Sequence, residues 1–127
     1  MTGLIASVAL VGALSAGPSA RTGYAVYYSA GVMEHVADVR GIVRQPCMVA
    51  WTYATDRDIG ETWLTVAGPA GTLACLVVDL PQKRDKAALE RREIVVELGW
   101  PSRWVCGRGW SGRARDCRVR VSPASLR

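Results

Sequence analysis

Two apolar runs rich in β-branched residues, Leu76-Val77-Val78 and Ile94-Val95-Val96, each lead into a carboxylate, Asp79 in the first and Glu97 in the second. Short runs of this kind, bounded by turn residues, predict buried strands. Between them, Pro81 stops the first strand, and the polar stretch from Lys83 to Arg92 is helix-prone, with Asp85 as the expected N-cap of Lys86–Arg92. Similar reasoning predicts strands over Thr22–Ser29, Cys47–Tyr53, Thr62–Ala67, Thr72–Asp79 and Ile94–Leu98. Gly68-Pro69-Ala70-Gly71 is a tight turn that joins two of these into a hairpin. Val36 and Val39 share a helical face within Glu34–Arg40, which Gly31 and Gly41 bracket. Arg103–Cys106 and Cys117–Val121 read as two short strands, a basic C-terminal hairpin around an Arg-rich loop. Six or seven short strands with regular turn signals and little helix indicate a mainly β protein, a small barrel. With no internal repeat or linker, residues 21–127 are expected to form a single domain.

The first twenty residues carry no charge, and the thirteen from Leu4 to Ala16 are apolar apart from small Gly and Ser. A spanning helix needs about 20 residues, so this run fits the apolar region of a secretory signal instead. Gly17-Pro18-Ser19-Ala20 is the expected processing region, although no Lys or Arg precedes the run. The alternative is a buried first element of the mature fold. Once the signal is removed, no transmembrane segment is expected.

Cysteine usage agrees with export. Cys47, Cys75, Cys106 and Cys117 are an even set in a chain of 127 residues, which suits two disulfides in an oxidising compartment. No C-x-x-C spacing suggests a zinc site, and no metal or cofactor is expected. Of three possible pairings, the expected one is Cys106–Cys117, closing the Gly-Arg-rich loop, with Cys47–Cys75 as the second. Charge is uneven as well: from Leu98 onward there are seven arginines against a single acid, Asp116. Such a basic face suits wall polymers, lipid headgroups or nucleic acid, or simply solvation. No nucleic-acid motif accompanies it, so nucleic acid is not the expected partner.

In order along the chain stand Tyr24-Ala25-Val26-Tyr27-Tyr28-Ser29, a Gly-led loop, a Cys strand, Thr62-Trp63-Leu64-Thr65-Val66, the Gly-Pro-x-Gly turn, Leu76-Val77-Val78-Asp79 and Ile94-Val95-Val96-Glu97-Leu98. That order resembles the double-psi β-barrel of the rare lipoprotein A and expansin (barwin-like) group, over about Gly23 to Leu98. The resemblance implies an exported protein, secreted or in the periplasm or cell wall, that binds wall polysaccharide. Some members are lytic transglycosylases of peptidoglycan, and others bind or loosen walls without hydrolysis. By position, Asp79 resembles the family's catalytic Asp and Glu97 the acid of its closing strand. Three departures stand out: Val78-Asp79-Leu80-Pro81-Gln82 replaces the usual surroundings of that Asp, the closing acid is Glu, and the helix that commonly follows it is expected to be missing.

Asp79 and Glu97 are therefore the catalytic candidates, Asp79 as general acid to a glycosidic oxygen and Glu97 as a second carboxyl or a like charge that raises its neighbour's pKa. The competing reading is two strand-end acids satisfied by backbone N–H groups or by arginines such as Arg84 and Arg92. For Glu97 that structural reading is the stronger. Substrate-binding candidates are Tyr28, Trp100, Trp104, Trp110 and Arg108, because flat aromatic faces stack on the apolar faces of sugar rings. Trp100, Trp104 and Trp110 stand among Gly, Pro, Ser and Arg and are expected at the surface, while Trp51 and Trp63 fall within strands and suit the core. Trp–Arg stacking that merely covers a thin core would look the same. His35, the only histidine, is assigned nothing beyond groove lining. A disulfide-stapled module that docks a polyanion or another protein through its Arg/Trp end, without catalysis, is the alternative function.

Overall fold

The computed structural model describes residues 20–28 and 31–124; the expected signal segment, apart from Ala20, lies outside them. Strands β1 (Arg21–Tyr27), β2 (Met48–Trp51), β3 (Trp63–Gly68), β4 (Gly71–Asp79), β5 (Ile94–Leu98) and β6 (Arg118–Pro123) close a barrel in the order β1-β5-β2-β4-β3-β6. The pairs β1–β5 and β2–β4 are parallel, and the other four are antiparallel. Closure leaves no free sheet edge.

Strand alternation explains the core. Val49, Leu64, Val66, Val77, Val96 and Val121 point into the barrel and are fully buried. Val78 points the other way, into a second layer beneath helix α1 (Val32–Val39), where Met33 and Ala37 cover Met48, Ala50 and Leu76. Both faces of β4 are thus apolar at its centre, the reason its sequence reads as a continuous run rather than an alternation. The helix ends in a Schellman motif: Gly41, at φ 72°, takes the left-handed position, the Ile42 N–H donates to Ala37 O at 2.8 Å, and the Gly41 N–H donates to Asp38 O. That stop leaves Arg40 at the helix end.

Both expected disulfides form, Cys47–Cys75 between β2 and β4 and Cys106–Cys117 across the Arg-rich loop. The hairpin at Gly68–Gly71 is present. Three expectations are corrected. Arg103–Cys106 is helical, part of α3 (Ser102–Cys106), so the C-terminal segment is helix, loop and strand rather than a hairpin. A helix therefore does follow β5. Pro101 just before it and Gly107 just after it, at φ 101°, are the usual frame of a helix and outweigh the strand propensity of Trp-Val-Cys. Helix α2 (Lys83–Arg91) begins earlier than expected, with Gln82 at its N-cap and Asp85 inside its first turn, where a negative charge favours the helix dipole.

Candidate functional site

Ala50 on β2 pairs with Asp79 on one side and with Glu97 on the other. The two acids therefore flank one small side chain, their Cα atoms roughly 10 Å apart at ordinary strand spacing. A bulge assists: β2 and β4 stay in step through Val49–Val77, then Val78 is skipped and Ala50 meets Asp79. Both acids open into a groove of about 590 Å³ that also takes Tyr28, Arg40, Asp56, Asp85, Leu89 and Arg92. Helix α2 forms one wall, and the end of α1 contributes Arg40.

The two carboxyls differ in their partners. Arg40 Nη2 donates to Asp79 Oδ1 at 2.9 Å, so the acid's partner is neither Arg84 nor Arg92. The ion pair is partly open to solvent. Glu97 takes part in neither of the ion pairs found among the described residues. It is half-buried, and burial pushes its pKa above the usual glutamate value, reinforced by the charges of Asp79 and Asp85. Tyr28 stands beside them, its backbone N–H donating to Leu98 O at 2.7 Å. The charge of Glu97 raises the phenol's pKa, with burial, Asp79 and Asp85 adding to it, so the hydroxyl remains a hydrogen-bond donor.

A second groove, of about 440 Å³, lies past the end of β5 and holds Tyr27, Trp100, Arg103, Arg108 and Trp110. Trp100 and Trp104 are half-exposed and meet edge to face with ring centres 4.5 Å apart. The Arg103 guanidinium sits 4.9 Å from the Trp100 ring centre and 5.7 Å from that of Trp104. Trp110 is not an open platform: it packs partly against the barrel core, meets Tyr27 edge to face, and donates its indole N–H to Arg113 O at 2.9 Å. Trp51 is buried inside the barrel, and Trp63 packs partly buried against the layer under α1.

The fold thus gathers the sequence candidates into two neighbouring grooves. Asp79, Glu97 and Tyr28 share the first; Trp100, Trp110 and Arg108 share the second, with Trp104 stacked at its rim. His35 is exposed on α1 and lines neither. Arg40 and Asp85 were missed by sequence reasoning. Arg40 is 39 positions from Asp79 and carries no local signal; Asp85 carries a signal only for helix starting. Among the described residues, no cluster of three or more His, Cys, Asp or Glu is placed to hold a metal ion. No helix among them is long and apolar enough to cross a membrane.

No protein-family model matches the sequence, and no curated protein matches it. Among solved structures, the chain is similar to an apo expansin from Clavibacter michiganensis, with a TM-score of 0.54 and 19% identity over 85% of this chain and 52% of that one. A mutant of that expansin in complex with cellohexaose gives a TM-score of 0.48 and 20% identity, over 85% of this chain and 50% of that one. The chain spans about half the length of these expansin structures. At such identity the likeness is one of fold: the closed six-stranded barrel is the expansin-type double-psi barrel.

Proposed function

We propose that the protein is exported and binds cell-wall polysaccharide across the carboxylate groove, with Glu97 positioned to protonate a glycosidic oxygen. The observation that carries this reading is the unequal treatment of two acids in one open groove: Arg40 engages Asp79, while Glu97 has no ion-pair partner among the described residues and its pKa is raised. A proton donor must hold its proton near working pH, and burial beside like charges is how a carboxyl comes to do so. The roles are therefore the reverse of those expected from sequence. Glu97 is the acid, and Asp79 is a charged neighbour that raises its pKa.

The chemistry that fits peptidoglycan is lytic. Glu97 gives its proton to the leaving oxygen as the bond to the anomeric carbon breaks. The sugar's own 6-hydroxyl then closes on that carbon to form a 1,6-anhydro ring, and its proton returns to Glu97. A single acid serves both halves. The Tyr28 hydroxyl is placed to hydrogen-bond the sugar, and the exposed Trp100 and Trp104 faces, with Arg108 and Trp110 in the same groove, offer stacking and polar contacts to units further along. Two disulfides suit the oxidising compartment this reading needs. A second reading, a binding module without catalysis, draws on the Trp100–Arg103–Trp104 stack, which is a recognition surface with no acid of its own.

One experiment separates these readings. Purified sacculi are incubated with wild type, Glu97→Gln and Asp79→Asn, the released fragments are analysed by mass spectrometry, and bound protein is measured by co-sedimentation. Anhydro-muropeptides from wild type that fall roughly 10²–10⁴-fold in Glu97→Gln, with binding retained, support the catalytic reading. Binding without release leaves the module reading. Absence of binding overturns the wall-glycan reading.

A further inference from the structure

A third depression, of about 870 Å³, lies between the end of α2 and the disulfide-closed loop, and Arg91, Arg92, Arg113 and Arg115 all line it. Its acids are Glu93 and Asp116. All four arginines are exposed, and neither ion pair found among the described residues uses them. Asp116 accepts a hydrogen bond from the Ser111 hydroxyl at 3.2 Å. The depression is therefore a cationic pocket with four guanidinium groups available to an anion.

Both walls are fixed to the barrel. On the α2 side, the Tyr24 N–H donates to Glu93 O at 2.8 Å, which ties the residue after Arg92 to β1. On the loop side, Cys117 is bonded to Cys106, and its carbonyl accepts the Ala25 N–H at 3.0 Å. Gly112, at φ 90°, lies against Tyr27: a Cβ there would stand 3.2 Å from the Tyr27 Cβ. The arginines thus project from anchored backbone rather than from a free tail.

Position completes the argument. Arg92 lines both this depression and the carboxylate groove, and Gly112 lines both this depression and the aromatic groove. Side by side along β1 and its end lie a groove where four acids (Asp56, Asp79, Asp85 and Glu97) outnumber two arginines (Arg40 and Arg92), a pocket where four arginines outnumber two acids, and an aromatic groove. A polymer with a negative charge on every unit would meet the excess of acid in the first. A neutral polymer would leave the arginines without a partner. Resting on the glycan reading above, we infer that the protein recognises a glycan in which acidic and uncharged sugars alternate, with a carboxylate of the acidic unit held by Arg91, Arg92, Arg113 and Arg115 and an uncharged unit beside Glu97. A nucleic acid, charged at every residue, fits this sequence of surfaces less well.

The test uses hyaluronan oligosaccharides, in which glucuronate alternates with an uncharged amino sugar, and the same oligosaccharides with every carboxylate methyl-esterified. Binding to the intact protein is measured by calorimetry over a salt series. Binding of the free acid should exceed that of the ester and weaken with salt. Arg113→Ala combined with Arg115→Ala should weaken it about tenfold, two exposed charge contacts at about a factor of three each. Arg57→Ala, which removes a positive charge outside the depression, should change it little. Retained melting temperature confirms that the variants fold. Equal binding of acid and ester, unmoved by the arginine changes, overturns the inference and leaves the glycan reading standing. Binding of neither oligosaccharide, with sacculi bound, also overturns it; failure to bind sacculi as well removes the glycan reading itself. Tighter binding of a DNA duplex than of hyaluronan replaces the glycan with nucleic acid.

Discussion

Replacing Cys106 and Cys117 together by serine separates what holds the barrel from what shapes its second groove. The two cysteines are 11 positions apart. In the chain-entropy description, releasing a loop of that size costs about 2.8 kcal/mol. For a domain of this size, between the calibrated classes, 1 kcal/mol moves the melting temperature by roughly 3–5 °C. The double variant should therefore melt about 10 °C lower in a calorimetric scan and still unfold cooperatively, because Cys47–Cys75 and the six-stranded closure remain. The effect on the site should be local. The bond fastens α3 to the start of β6, beside the loop that carries Trp110 and Arg113, whereas the carboxylate groove rests on β4, β5 and the two longer helices. Sugar binding that depends on the Trp100 face should weaken while the titration of Glu97 stays unchanged. A melting temperature within about 3 °C of wild type would refute the entropic reasoning. A Glu97 titration that moved with it would refute the separation of the two grooves.

Other outcomes follow from single positions. Val77→Asp places an unpaired carboxylate inside the barrel, at a cost of several kcal/mol, and should abolish the cooperative melt seen by circular dichroism at neutral pH; an unchanged melt would contradict the inward direction of Val77. Because the folded-state pKa of Glu97 is raised, its contribution to stability is complete below pH 4.5 and is lost as pH rises through the folded value. Glu97→Gln should therefore be more stable than wild type at neutral pH, by a margin that shrinks in acid, as read from denaturant melts across pH. Arg40→Ala breaks a partly exposed ion pair and should cost less than about 1 kcal/mol, yet it should raise the Glu97 pKa further, because the charge of Asp79 is no longer offset.

Strands β1 to β5 were legible because each combines β-branched residues with a Gly or Pro boundary, and the disulfides because an even set of cysteines left few pairings. Helix α3 was misread where local propensity competed with its frame: Arg-Trp-Val-Cys is too short to show a helical period, and the signal lay outside it, in Pro101 and Gly107. The acids Asp79 and Glu97 were visible as strand-end carboxylates, but the difference in their surroundings was not. The difference between them comes from the burial of Glu97, from Arg40, delivered to Asp79 by the Schellman stop at Gly41, and from Asp85, delivered by α2, and all three are products of the closed barrel rather than of neighbouring sequence. Trp110 illustrates the same limit: its Gly- and Ser-rich surroundings suggest exposure, while the loop folds it back against Tyr27.

Direct titration of the Glu97 carboxyl by carboxyl-carbon NMR tests the central claim, that burial and charged neighbours raise the pKa of one acid of the groove. The account requires a midpoint above 4.5 that moves down in Asp79→Asn, because the reinforcing charge is gone. A midpoint at or below 4.5, or one indifferent to Asp79, would contradict it.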